Sequence, residues 1–169
     1  KMSIALVAFW LLVAPLFAET GYKVQTRYPV PGEGGFDYVT IDSAARRVYL
    51  SHGTQVDVVD ADSGKVVGTI PDTPGVHGVA LAPEFKHGFT SNGRANNVTI
   101  FDLKTLKSLG QVKTGENPDA IRYDSVSNRV FTFNGRSKDS TAFDAKTGKV
   151  EATIPLGGKP EFAVADGKG

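Results

Sequence analysis

The chain has 169 residues, with 19 basic and 18 acidic side chains, 40% hydrophobic content and no cysteine. The absent cysteines exclude disulfides, iron–sulfur clusters and thiolate zinc sites, and the near-balance of charge counts against a nucleic-acid binder, which carries a basic excess. The 19 glycines point to many tight turns, and so to many short strands.

In chain order, Lys1 precedes an apolar run from Ile4 to Ala18 broken only by Pro15. A positive start, an apolar stretch and a small residue at its end make residues 1–18 a secretory signal peptide cut after Ala18. A membrane span needs about 20 apolar residues, so no stable span is expected once the signal is removed; an uncleaved N-terminal anchor is the alternative. The protein is therefore expected in the periplasm or outside the cell. The mature part keeps 18 basic and 18 acidic residues, a formal net charge of zero.

From residue 19 on, a repeat dominates. Val56-Asp57-Val58-Val59-Asp60, Val98-Thr99-Ile100-Phe101-Asp102 and Ser140-Thr141-Ala142-Phe143-Asp144 place Asp60, Asp102 and Asp144 at intervals of 42. His52-Gly53, Asn92-Gly93 and Asn134-Gly135 follow at 40 and 42, and Ile70-Pro71 and Ile154-Pro155 lie two periods apart. Within the second copy, strands are expected over Gly78–Ala82, His87–Ser91, Asn97–Asp102 and Lys107–Val112, with turns at 83–86 and 103–106 and a loop at 92–96. The strand positions are β-branched and aromatic, and nothing after residue 20 shows helical spacing of apolar residues over two turns. Four short strands per roughly 42 residues define a blade of an all-β propeller, with blade centres near residues 53, 95 and 137. The three turn aspartates are read as bonding the turns that follow them.

The run Lys146-Thr147-Gly148-Lys149-Val150-Glu151-Ala152-Thr153-Ile154-Pro155, a Lys-Thr-Gly-Lys turn after a strand ending in Asp144, resembles the YVTN-repeat, YncE-like propeller family over residues 22–169. Leu106 departs from the pattern, standing where the other turns carry glycine. The resemblance implies a seven-bladed ring. On that reading residues 19–31 form an N-terminal closing strand, Tyr22–Val30 matching the fourth strand of a blade, and residues 32–169 hold three blades and the start of a fourth. The fourth repeat opens at Lys159 and stops at Asp166-Gly167-Lys168-Gly169, so the chain reads as the N-terminal portion of a longer, monomeric protein and is expected to associate when expressed alone. The alternative is a complete chain that pairs with a second copy to close a ring.

The first strand of a blade lines the central channel of such a ring. Asp37, His77, Asp119 and Glu161, spaced by 40, 42 and 42, are expected at its mouth, with His52, Arg94 and Arg136 from the loops between second and third strands on the same face. Titratable groups converging on one mouth make a candidate ligand site. His77 and Asp119 are candidate ligands of a divalent cation, and Arg94 and Arg136 could hold an anion. The competing reading is structural: polar groups that bond neighbouring blades, and solvated loop arginines. His87 shares a column with Arg47 and Arg129 and is read as a surface strand residue.

No Gly-x-Ser-x-Gly, His-Glu-x-x-His or phosphate-loop motif is present. The expectation is an exported, non-enzymatic binding or scaffold propeller whose partner is a small molecule or a protein. The alternative is a lactonase-like or metal-dependent hydrolase using the acidic and histidine ring.

Overall fold

A computed structural model describes residues 21–32 and 34–169; the signal peptide expected over 1–18 lies outside the described residues. The chain forms three antiparallel four-stranded sheets in sequence order. The first holds β1 (Phe36–Asp42), β2 (Arg47–His52), β3 (Gln55–Asp60) and β4 (Val66–Ile70). The second holds β5 (Val76–Ala82), β6 (His87–Asn92), β7 (Asn97–Asp102) and β8 (Ser108–Lys113), with one 3-10 turn, Pro83–Phe85, between β5 and β6. The third holds β9 (Pro118–Asp124), β10 (Arg129–Asn134), β11 (Asp139–Asp144) and β12 (Val150–Pro155). The four strands expected in the second repeat are all present, β5 beginning two residues early because its ladder resumes beyond a bulge between Val76 and Val79.

Each β3-to-β4-type turn is closed by its aspartate. Ser63 N donates to Asp60 Oδ1 at 2.8 Å, Thr105 N to Asp102 Oδ1 at 2.6 Å and Thr147 N to Asp144 Oδ1 at 2.7 Å, each joined by the hydroxyl of the same residue. Gly64, Leu106 and Gly148 follow at φ of 68°, 61° and 72°. That left-handed conformation disfavours a side chain by roughly 1–2 kcal/mol, so Leu106 must be held by something else. It is: Leu106 is 7% exposed, in the core between the first and second sheets, and its Cδ1 would lie 2.6 Å from a Cβ on Gly68 of β4. Replacing Leu106 by glycine relieves the backbone but empties that contact, and a net loss of about 1–3 kcal/mol is expected in urea unfolding. A more stable variant would show that the backbone term dominates.

The core lies between sheets. Tyr49, Val56, Val58, Ile70, Val76, Val79, Phe101 and Leu106 fill the space between the first and second. Phe89, Val98, Ile100, Val112, Ile121, Val130 and Phe143 fill that between the second and third. The first strands lie side by side, β1 on β5 and β5 on β9, and side chains of one sheet donate to backbone carbonyls of the next or, from the third sheet, of the segment that follows it. Thr40 Oγ1 reaches Val79 O at 2.8 Å, Ser91 Oγ reaches Asp119 O at 2.5 Å and Arg122 Nε reaches Ala163 O at 2.6 Å. At the outer edge Arg47 Nη1 reaches Leu103 O at 2.6 Å and His87 Nδ1 reaches Ala145 O at 3.1 Å. In the column Arg47, His87, Arg129, the first two thus join sheets, whereas Arg129 pairs within its own sheet with Glu151 at 2.6 Å.

Residues 21–32 carry no ladder, so the strand expected over Tyr22–Val30 is not formed among the described residues. Tyr28 nevertheless lies over Gly64, as Val112 lies over Gly148, which is where the fourth strand of a preceding sheet would run. Residues 156–169 are also without a ladder, yet Ala163 and Glu161 contact Arg122 and Tyr38 beside the first strands.

Candidate functional site

All three first strands are bulged at the same place. The β1–β2 ladder is interrupted between Phe36 and Val39, β5–β6 between Val76 and Val79, and β9–β10 at Thr132–Asn134, opposite Pro118–Ile121. A bulge leaves its residues out of the ladder and re-aims their side chains. Asp37, His77 and Asp119 each sit in that gap, and each follows an apolar residue paired across the ladder with the end of the second strand: Phe36 with His52, Val76 with Asn92, Pro118 with Asn134.

The three ring residues meet. His77 Nδ1 lies 2.6 Å from Asp37 Oδ2 and 4.0 Å from Asp119 Oδ1, so one imidazole edge stands between two carboxylates. Burial pushes the Asp119 carboxyl up from its ordinary value, and the negative Asp37 and Glu161 add to this against the pull of His77 and Lys159. Burial likewise raises the Tyr38 hydroxyl, with Asp119, Asp37 and Glu161 contributing in the same direction. Glu161 stands at the rim, its carboxylate paired with Lys159 and its carbonyl accepting from Tyr38 Oη at 3.3 Å. A Cβ on Gly93 would lie 2.7 Å from His77 Nε2 and 2.9 Å from Asn117 Oδ1, so any side chain at 93 would collide with the imidazole and the amide. Below the mouth, a cleft of about 150 Å³ between the first strands is lined by Tyr38, Thr40, Gly78, Ala120, Arg122 and Phe162.

The loop residues behave differently. His52 is 3% exposed and does not reach the mouth. Its Nδ1 donates to Asp57 Oδ2 at 2.7 Å, Gln55 Nε2 donates to the other carboxylate oxygen at 2.7 Å, and Phe36 stacks on the ring at 4.2 Å between centroids. In the second sheet the same place is held by Asn92, bonded to Thr90, Asn97 and Thr99, and in the third by Asn134, bonded to Thr132, Asp139 and Thr141. Arg94 and Arg136 are exposed, and it is their backbone N–H groups that are used, donating to Pro74 O and Glu116 O at 3.2 and 3.1 Å. The second set expected at the mouth is therefore not assembled.

Tyr38, Asn117, Lys159 and Asp57 were not singled out by sequence. For Asp57 a signal existed: one repeat alone replaces the amide at 52 by histidine and the hydroxyl at 57 by aspartate.

Among the described residues no three histidine, aspartate or glutamate side chains are grouped to hold a metal ion. His77 Nδ1 is engaged by Asp37, which leaves Nε2 as its remaining nitrogen.

No model of a known protein family matches the chain, and no curated protein matches it. Among solved structures it is similar to Kuenenia stuttgartiensis hydrazine synthase, with a TM-score of 0.67 and 17% identity, over 79% of this chain. The match spans 39% of that chain. At this identity the likeness speaks for the fold, an all-β, propeller-like arrangement of four-stranded sheets.

Proposed function

We propose that the chain is an arc of an exported, seven-bladed propeller of the YVTN type that binds a polar small molecule at the mouth of its channel. The observation that carries the reading is the His77 imidazole set between the carboxylates of Asp37 and Asp119, one paired and one partly buried. The 42-residue period and the Lys-Thr-Gly-Lys turn support the family; the charged, apolar-then-small N-terminus supports export. The mouth is rich in acceptors, with Asp37, Asp119 and Glu161 against Lys159 and one imidazole. It therefore suits a ligand that donates hydrogen bonds, such as an amine or an amino sugar.

Calorimetric titration of the intact protein with spermidine, glucosamine and gluconate tests this. The first two should bind and the carboxylate should not. The His77→Ala, Asp119→Asn variant should bind roughly 100-fold more weakly while melting within a few degrees of wild type. Absence of amine binding, or a collapse of stability in the variant, overturns the reading.

A second reading, lactonase-like hydrolysis, has one observation in its favour. Asp37 orients His77 through Nδ1, the way a carboxylate aligns a general base. Turnover of a panel of lactones, lost in His77→Ala, would select it.

A further inference from the structure

We propose that the buried His52–Asp57 pair is a positioning device for Asp37, acting through Phe36. The inference rests on the reading that the Asp37–His77 pair belongs to the binding mouth.

The argument begins with the three equivalent places. At each bulge, the residue before the ring position pairs with the end of the second strand. In the second and third sheets that residue, Val76 or Pro118, is itself buried, so packing from both sides fixes the backbone leading into His77 and Asp119. In the first sheet it is Phe36, 53% exposed, at the start of a strand whose preceding residues 34–35 carry no ladder. Beyond its ladder pairing with His52, Phe36 is held by its stack on the His52 ring at 4.2 Å and 23° between planes.

A stack orients only if its lower ring is itself fixed. His52 is fixed by a charge-assisted bond to Asp57, and Asp57 by a second bond from Gln55. The amide that serves at Asn92 and Asn134 cannot offer an aromatic face, so the exchange to histidine, and the matching exchange to aspartate at 57, supplies what Val76 and Pro118 obtain from burial. Phe36 then delivers the next residue, Asp37, to within 2.6 Å of His77 Nδ1. Among the described residues, His52 Nε2 is buried without a hydrogen-bond partner. A histidine kept for its hydrogen bonds alone would be a costly choice there, whereas one kept for its ring face explains the replacement.

The test reads the His77 Nδ1–H proton by NMR in the ligand-free, intact protein, where a short bond to a carboxylate gives a downfield resonance. Asp37→Asn marks where the signal goes when the bond is broken. Two variants remove the stack: Phe36→Leu, and His52→Asn combined with Asp57→Thr, which installs the chemistry of the second sheet. In both, the resonance should move toward its Asp37→Asn position with the melting temperature nearly unchanged, and Phe36→Tyr should restore the wild-type signal. A wild-type resonance in either folded variant overturns the proposal; should the double variant not fold, Phe36→Leu decides alone. Because no ligand is present, a failure of amine binding sinks the proposed function without touching this result.

Discussion

Replacing Phe89 by alanine is expected to remove about 3–5 kcal/mol of stability and to lower the melting temperature by on the order of 10 °C. Phe89 is 0% exposed in the core between the second and third sheets, and its ring meets Phe143 at 5.7 Å in an edge-to-face arrangement. Truncation forfeits the transfer free energy of the ring and leaves a cavity. The surrounding side chains Val98, Ile100, Ile121 and Val130 stand on strands tied into ladders, so the walls cannot collapse inward to fill it. A chemical-denaturation loss below about 1 kcal/mol would mean that the two sheets do not share this core.

Acid should weaken the protein at its turns. Hydrogen bonds from Ser63 hold the Asp60 carboxyl below the ordinary value near 3.8; Thr105 does the same for Asp102, Thr147 for Asp144 and Ser127 for Asp124. A carboxyl whose folded pKa is depressed stabilises the fold at all pH above the unfolded value and loses that contribution as pH falls through the folded one. The four act together below about pH 4. Asp119 has the opposite sign. Its folded pKa is raised, so its ionised form opposes folding near neutrality and its protonation restores stability as pH falls toward its ordinary value. Guanidinium midpoints should therefore hold or rise slightly on mild acidification and then drop steeply below pH 4. Asp119→Asn should be more stable than wild type at pH 7, and replacing the four turn aspartates by asparagine should flatten the acid limb. A midpoint that stays level between pH 4 and pH 2 would show that these bonds are not made.

The strands were legible because each repeat carries its own punctuation. Asn97–Asp102 was read with its observed bounds, since β-branched residues fill it and Asp102 closes it. The start of β5 was misjudged because a bulge, not a change of residue type, separates Val76 from the regular ladder. Spacing put Asp37, His77 and Asp119 in one column of the repeat, but it could not say that His77 would turn to Asp37 and stand farther from Asp119, a choice made by side-chain geometry across sheets. His52 was misplaced for a related reason. A column shared with Asn92 and Asn134 reads as loop chemistry, while the feature that pairs with it is Asp57, five residues on and across a hairpin.

Five of the hydrogen bonds that tie one sheet to the chain beyond it are asymmetric: a side chain gives the proton and a main-chain oxygen receives it. The receiving residues are Val79, Leu103, Asp119, Ala145 and Ala163, which share nothing but the carbonyl that any amino acid supplies. Half of each of these bonds is therefore invisible to substitution. The receiving positions are free to drift, and to be recruited, as Asp119 has been, for other work, without loosening the stack. Two chains joined this way can lose nearly all likeness in sequence and still superpose sheet upon sheet.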